Sequence, residues 1–235
     1  MSRSSRPAHT ENLLTSLVFV VPLLVFYEIA VLNSRTINGA DLVTDTLLRT
    51  VGRSGFIWIQ LGVLAAVIGL ALILRTKQRF NWKRIFPIIL ESALYASTMG
   101  VLISMVMVDV LGIDPRLAVD PLKGASVFER LVMAVGAGVH EELMFRLGMM
   151  GGILLLCDRA LRLRRWLSVL IALLVSSIAF ALAHHIGPLG EPLRLGVFVY
   201  RAIAGVLFGL LYRYRGLAIA VYTHTLYDIY VMIIL

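Results

Sequence analysis

Seven apolar runs, each long enough to cross a bilayer, limit what this 235-residue chain can fold into. They lie near 13–32, 55–74, 86–112, 131–156, 167–186, 195–212 and 217–235. A helix rises about 1.5 Å per residue, so roughly 20 apolar residues cross the hydrocarbon core. Backbone N–H and C=O groups find no water there, and a helix satisfies them within itself. The expected fold is all-α, a polytopic transmembrane helical bundle of about seven spans with an intramembrane polar cavity. Composition agrees: 59% of residues are hydrophobic and mean hydropathy is +0.88, against roughly 45–50% apolar in soluble domains. No segment is left for a separate soluble domain. Met1–Asn12 is polar and the first apolar run lacks a small-residue cleavage site, so no cleavable leader is expected.

Charge placement predicts the orientation. Of the 22 Lys and Arg, thirteen fall on one side of the predicted spans, including Arg3, Arg6 and the clusters Arg75–Arg84 and Arg159–Arg165. Seven fall on the other, among them Arg35, Arg49, Arg53, Arg116, Lys123, Arg130 and Arg194, while Arg146 and Arg201 lie inside spans. The positive-inside rule then places the N-terminus in the cytoplasm and the C-terminus outside. The net charge of +8 is mostly this topology signal, suited to acidic lipid headgroups. Basic residues dispersed over short loops do not make a nucleic-acid site. The small size and short loops point to a bacterial inner membrane.

Against that background the segment His140-Glu141-Glu142-Leu143-Met144-Phe145-Arg146 stands out. Each ion at the centre of a bilayer costs roughly 2.5 to 3.5 kcal/mol even on lenient scales, so intramembrane charge is read as functional. Glu142 and Arg146 are four apart with the acid first, the favourable order for a helical ion pair. Glu141, about 100° away around the helix, has no local partner. The division of labour is one glutamate to support and one to react as a general base or acid. Two more spans carry polar groups: His184, four after Phe180 and beside His185, and the pair His224 and Asp228, also four apart. The chemistry is expected where the three segments meet. Their depths disagree, however, because His184 lies near the far end of its span and His224 only about seven residues into the next-but-one. At 1.5 Å per residue the heights differ by on the order of 15 Å, so spans must be offset or a boundary misplaced. Cys157, beside Asp158, is expected to be structural. The glycines at 136, 138, 148, 151, 152, 205 and 209 are expected to let helices approach closely.

Three intramembrane protease signatures do not fit. HExxH would need a histidine where Met144 stands; Ser176-Ser177 has no GxSG context; Tyr227-Asp228 has no GxGD partner. What fits is EExxxR, then FxxxH, then HxxxN/D, in that order over roughly residues 125–235. This resembles the CaaX-protease and bacteriocin-processing (CPBP, or Abi) family, including the type II CaaX prenyl endopeptidases. The resemblance implies an intramembrane glutamic endopeptidase in which Glu141 and His184 activate water and His224 with Asp228 steadies the oxyanion. Glu142, Arg146 and Phe180 would support them. Many members have Asn at the position of Asp228, and an ionised Asp accepts hydrogen bonds without donating. Residues 1–124 carry no family motif and are read as a scaffold of about three spans beside a core at 125–235.

The expected substrate is a membrane-embedded or lipid-proximal peptide or protein tail, with membrane lipids as partners and no nucleic acid. No cofactor is expected. A zinc-dependent alternative would use Glu141, His184 and His224 as ligands with one position open. From other classes, the polar cluster would serve a proton- or ion-coupled transporter, or a non-catalytic protein that binds a membrane peptide.

Overall fold

The computed structural model describes residues 12–31, 42–113, 124–186 and 192–234, and every regular element among them is a helix. The helices are α1 (Leu13–Val31), α2 (Leu42–Arg75, bent at Gly52) and α3 (Ile85–Met105, prolonged by a wide turn over Val106–Val110). A composite helix, α4, follows over 127–160; then come α5 (Arg165–Ala183), α6 (Leu195–Tyr214) and α7 (Leu217–Ile229, prolonged by Tyr230–Ile234). Six of the seven are long and apolar enough to cross a membrane. The exception is α4, long enough but loaded in its middle turns with Glu141, Glu142 and Arg146. The helical polytopic bundle expected from the sequence is therefore what the chain forms. Of the loop charges that set the expected orientation, Arg3, Arg6, Arg35, Arg116 and Lys123 lie outside the described residues.

Local chemistry explains where α4 begins. Ser126 Oγ accepts from the Glu129 backbone N–H at 3.2 Å, and Glu129 Oε2 accepts from the Ser126 N–H at 2.8 Å. This reciprocal capping box satisfies two donors that a helix start would leave unpaired. After the α-helical stretch Val127–Gly136, the hydrogen bonding widens to the i→i+5 pattern of a π-helix over Ala137–Met150. The chain returns to α-helix at Gly151–Leu155 and widens again at Leu156–Ala160. Wide turns of this kind are rare and concentrate at functional sites. The sequence reading had assumed an ordinary α-helix here.

Close approach of backbones positions the central helices. A Cβ on Gly138 would lie 2.1 Å from Thr225 Oγ1 and 2.7 Å from the Thr225 backbone nitrogen, so α4 rests directly on α7. Likewise a Cβ on Gly136 would meet the Tyr27 ring at 2.2 Å, which seats α1 on α4. Between α5 and α6, Gly205 lies against Ser177 and Gly209 against Leu173. Gly152, by contrast, faces open space, and Gly148 meets nothing closer than a carbonyl of its own helix. Those two are not packing residues. Buried apolar clusters fill the gaps. One joins Leu17, Leu24 and Tyr27 of α1 to Val135 and Val139 of α4 and Val221 of α7. Another joins Ile103 of α3, Phe145 of α4, Phe180 of α5, Phe208 of α6 and Tyr227 of α7. Phe56, Leu64, Val67 and Leu74 of α2 pack against α1, and among the described residues the rest of its apolar surface is largely exposed and suits contact with lipid.

Offset helices account for part of the depth conflict. The two glycine contacts fix one antiparallel register, which sets the end of α6 at Tyr214 level with Ser168, a few residues into α5. Arg215 and Gly216 then turn the chain; Gly216 has φ 111, a conformation open to glycine because it lacks a Cβ. As a result α7 starts higher in the bundle than α5 does. The His184 ring also folds back one turn, its Nδ1 donating to the Phe180 carbonyl at 2.8 Å. Offset and fold-back both act in the direction that brings the two rings together, and their Nε2 atoms end 3.8 and 3.7 Å from the same Glu141 oxygen.

Candidate active site

The Glu142–Arg146 pair lies at the bottom of the site, and neither side chain has any exposed surface. Arg146 Nε sits 3.2 Å from Glu142 Oε2, a close ionic contact that is not aligned as a hydrogen bond. Arg146 Nη2 donates to the Gly205 carbonyl of α6 at 3.3 Å. Its guanidinium lies 4.5 Å from the centroid of Phe180 and 5.7 Å from that of Phe208. A desolvated cation on aromatic faces contributes about 2 kcal/mol. Arg146 thus ties α4 to α5 and α6, and Phe180 is part of its seat.

The other oxygen of Glu142 reaches α7. His224 Nδ1 donates to Glu142 Oε1 at 2.9 Å. The imidazole is stacked on Phe208, with centroids 4.3 Å apart and planes 16° from parallel. One nitrogen and one face are thereby fixed, and Nε2 is left pointing at Glu141 Oε2, 3.7 Å away. His184 has the same design by other means. Nδ1 is taken by the Phe180 carbonyl, the ring edge packs on Phe180 at 4.8 Å, and Nε2 faces the same Glu141 oxygen at 3.8 Å. Glu141 is 2% exposed, and neither carboxylate oxygen accepts a hydrogen bond from any group among the described residues. Separations of 3.7 and 3.8 Å exceed a direct hydrogen bond, so both nitrogens face the carboxylate without bonding it.

Asp228 stands beside this group, its Oδ2 3.6 Å from His224 Nε2, one turn along α7 as the four-residue spacing requires. The neighbouring Tyr227 hydroxyl is hydrogen-bonded to that of Tyr200 on α6. Arg201 follows Tyr200 on α6, a second arginine inside an apolar span. His185 turns to the Phe198 ring, with centroids 6.3 Å apart. All seven residues singled out in the sequence, Glu141, Glu142, Arg146, Phe180, His184, His224 and Asp228, are therefore in one cluster. What the sequence reading missed is the Glu142–His224 bond, which makes Glu142 more than a partner for Arg146. It also missed Phe208 and Glu28. Glu28 carried the same signal used for Glu141, an acid inside an apolar span.

Among the described residues, no group of three or more His, Cys, Asp and Glu side chains is arranged to hold a metal ion. In comparisons with known proteins, residues 123–230 match the family described as Type II CAAX prenyl endopeptidase Rce1-like. No curated protein and no solved structure matches the chain.

Proposed function

We propose that this chain, whose residues 123–230 belong to the Type II CAAX prenyl endopeptidase Rce1-like family, is an integral-membrane endopeptidase acting on a membrane-associated peptide or protein tail by glutamate-based hydrolysis. Family membership supports a CAAX-type protease in general. One observation carries the finer mechanism. Two imidazoles, each held through Nδ1, aim Nε2 at a single Glu141 oxygen that neither bonds directly.

In this reading Glu141 accepts a proton from a water that His184 Nε2 orients by accepting its second hydrogen. With Nδ1–H donating to a carbonyl, the neutral His184 ring can only accept at Nε2. The hydroxide adds to the scissile carbonyl. His224, held by Glu142, donates from Nε2 to the oxyanion when the ring carries both hydrogens, and that charge is balanced by Glu142 behind it. Asp228 donates alongside while its carboxyl is protonated. Glu141 then returns its proton to the leaving amine as the tetrahedral intermediate collapses. Glu142, Arg146 and Phe180 act by holding these groups.

The test is cleavage by purified full-length protein in lipid vesicles. The probe is a farnesylated peptide with a CAAX-type C-terminus, and mass spectrometry reads the released fragments. Cleavage is expected, with a rate unchanged after dialysis against a chelator. Loss of the rate on chelation, restored by zinc, would transfer the mechanism to a metal. Absence of cleavage for this probe and for its unprenylated counterpart would count against the protease reading.

A further inference from the structure

The residue just before Glu141 joins the catalytic helix to the first helix of the chain. His140 Nδ1 lies 3.2 Å from the Gly136 carbonyl, and its Nε2 lies 3.2 Å from Glu28 Oε1 on α1. The carbonyl accepts only, so Nδ1 donates to it, and Nε2 and the Glu28 carboxyl hold one proton between them. Beside Glu28, the Tyr27 ring packs edge-on against the imidazole, centroids 4.6 Å apart, and fills the space that Gly136 leaves by lacking a Cβ. Tyr27 and Glu28 thus grip a single turn of α4, from Gly136 to His140.

That turn is where α4 changes from α-helical to i→i+5 hydrogen bonding, at Ala137. Where the widening begins sets the rotation of every side chain after it, Glu141 among them. Among the described residues the Glu141 carboxylate has no hydrogen-bond partner, so its aim depends on the backbone beneath it. We propose that Glu28 and His140 form a positioning pair, which fixes the start of the widened stretch and so the direction of Glu141. This role rests on the protease reading above. It assigns a function to a residue outside the family-matched segment, and neither residue touches the reacting atoms.

Glu28→Gln keeps a group at the same place that pairs with Nε2 in either hydrogen-bond sense; Glu28→Leu keeps the size and removes the pairing. In vesicles with the farnesylated peptide, Glu28→Leu and His140→Ala are expected to lower kcat roughly 10- to 100-fold, the scale of a small misplacement at a reacting centre. KM should stay within about twofold, since substrate contacts are untouched. Glu28→Gln should recover most of the loss. The double variant Glu28→Leu/His140→Ala should be no slower than the worse single variant, as coupled partners behave. Multiplying losses, a failed Gln rescue or an unchanged kcat would overturn the pairing. Amide hydrogen exchange over residues 136–142 gives an answer independent of activity: faster in Glu28→Leu than in wild type, and near wild type in Glu28→Gln. Equal exchange in all three would also overturn it, even if no substrate is ever cleaved.

Discussion

Glu142 uses its two oxygens for two different residues, one accepting from His224 and one facing Arg146. Half of this was legible in the sequence. The four-residue spacing to Arg146 is local geometry, whereas His224 lies 82 positions away and is found only by folding. Phe208 escaped notice because an aromatic residue in an apolar span looks like packing; its stacking on His224 shows only in three dimensions. Asp228 shares a face with His224 as the spacing required, but Glu142 already takes the Nδ1 hydrogen. Asp228 is therefore not needed to orient that ring, and its place near Nε2 suits direct contact with substrate. Removing either ion of the Glu142–Arg146 pair leaves the other buried and unpaired, which costs about 3–5 kcal/mol. Glu142→Ala and Arg146→Ala should both lower the melting temperature in detergent and the yield from membranes. Two variants as abundant and heat-stable as wild type would show that the pair does not support the fold.

At the scale of elements, apolar run length placed the helices and their order well, because bilayer thickness fixes how many residues a span needs. What run length cannot carry is the widened stretch of α4. The i→i+5 pattern leaves no periodic mark in 14 residues whose apolar and polar positions are already interrupted by the site. Nor can it carry the offset of α7 against α5, which follows from glycine contacts between helices. Those contacts make opposite predictions for two glycines on the same helix. A methyl at Gly138 runs into the Thr225 backbone, and overpacking of that kind costs about 1–3 kcal/mol. At Gly152 it meets open space, and helix propensity alone should stabilise by about 0.5–1 kcal/mol. Thermal melts of Gly138→Ala and Gly152→Ala should move in opposite directions. Identical shifts would mean that the α4–α7 contact is looser than described.

For the molecule as a whole, the sequence located the site by a single principle: charge inside a membrane needs a reason. Applied to α4, α5 and α7 it found residues that the fold brings within 4 Å of one another. The same principle was not applied to Glu28, so the N-terminal part was read as scaffold alone, although α1 packs on α4 and α7 and meets His140. Everything in the proposed chemistry passes through Glu141. The most direct measurement is therefore the rate of peptide cleavage by Glu141→Gln in vesicles, beside a melting curve and a reconstitution yield equal to wild type. An amide of the same shape cannot take a proton from water, and loss of a general base costs roughly 10²- to 10⁴-fold. A well-folded, inactive Gln variant is the expected result; cleavage at the wild-type rate would contradict the mechanism.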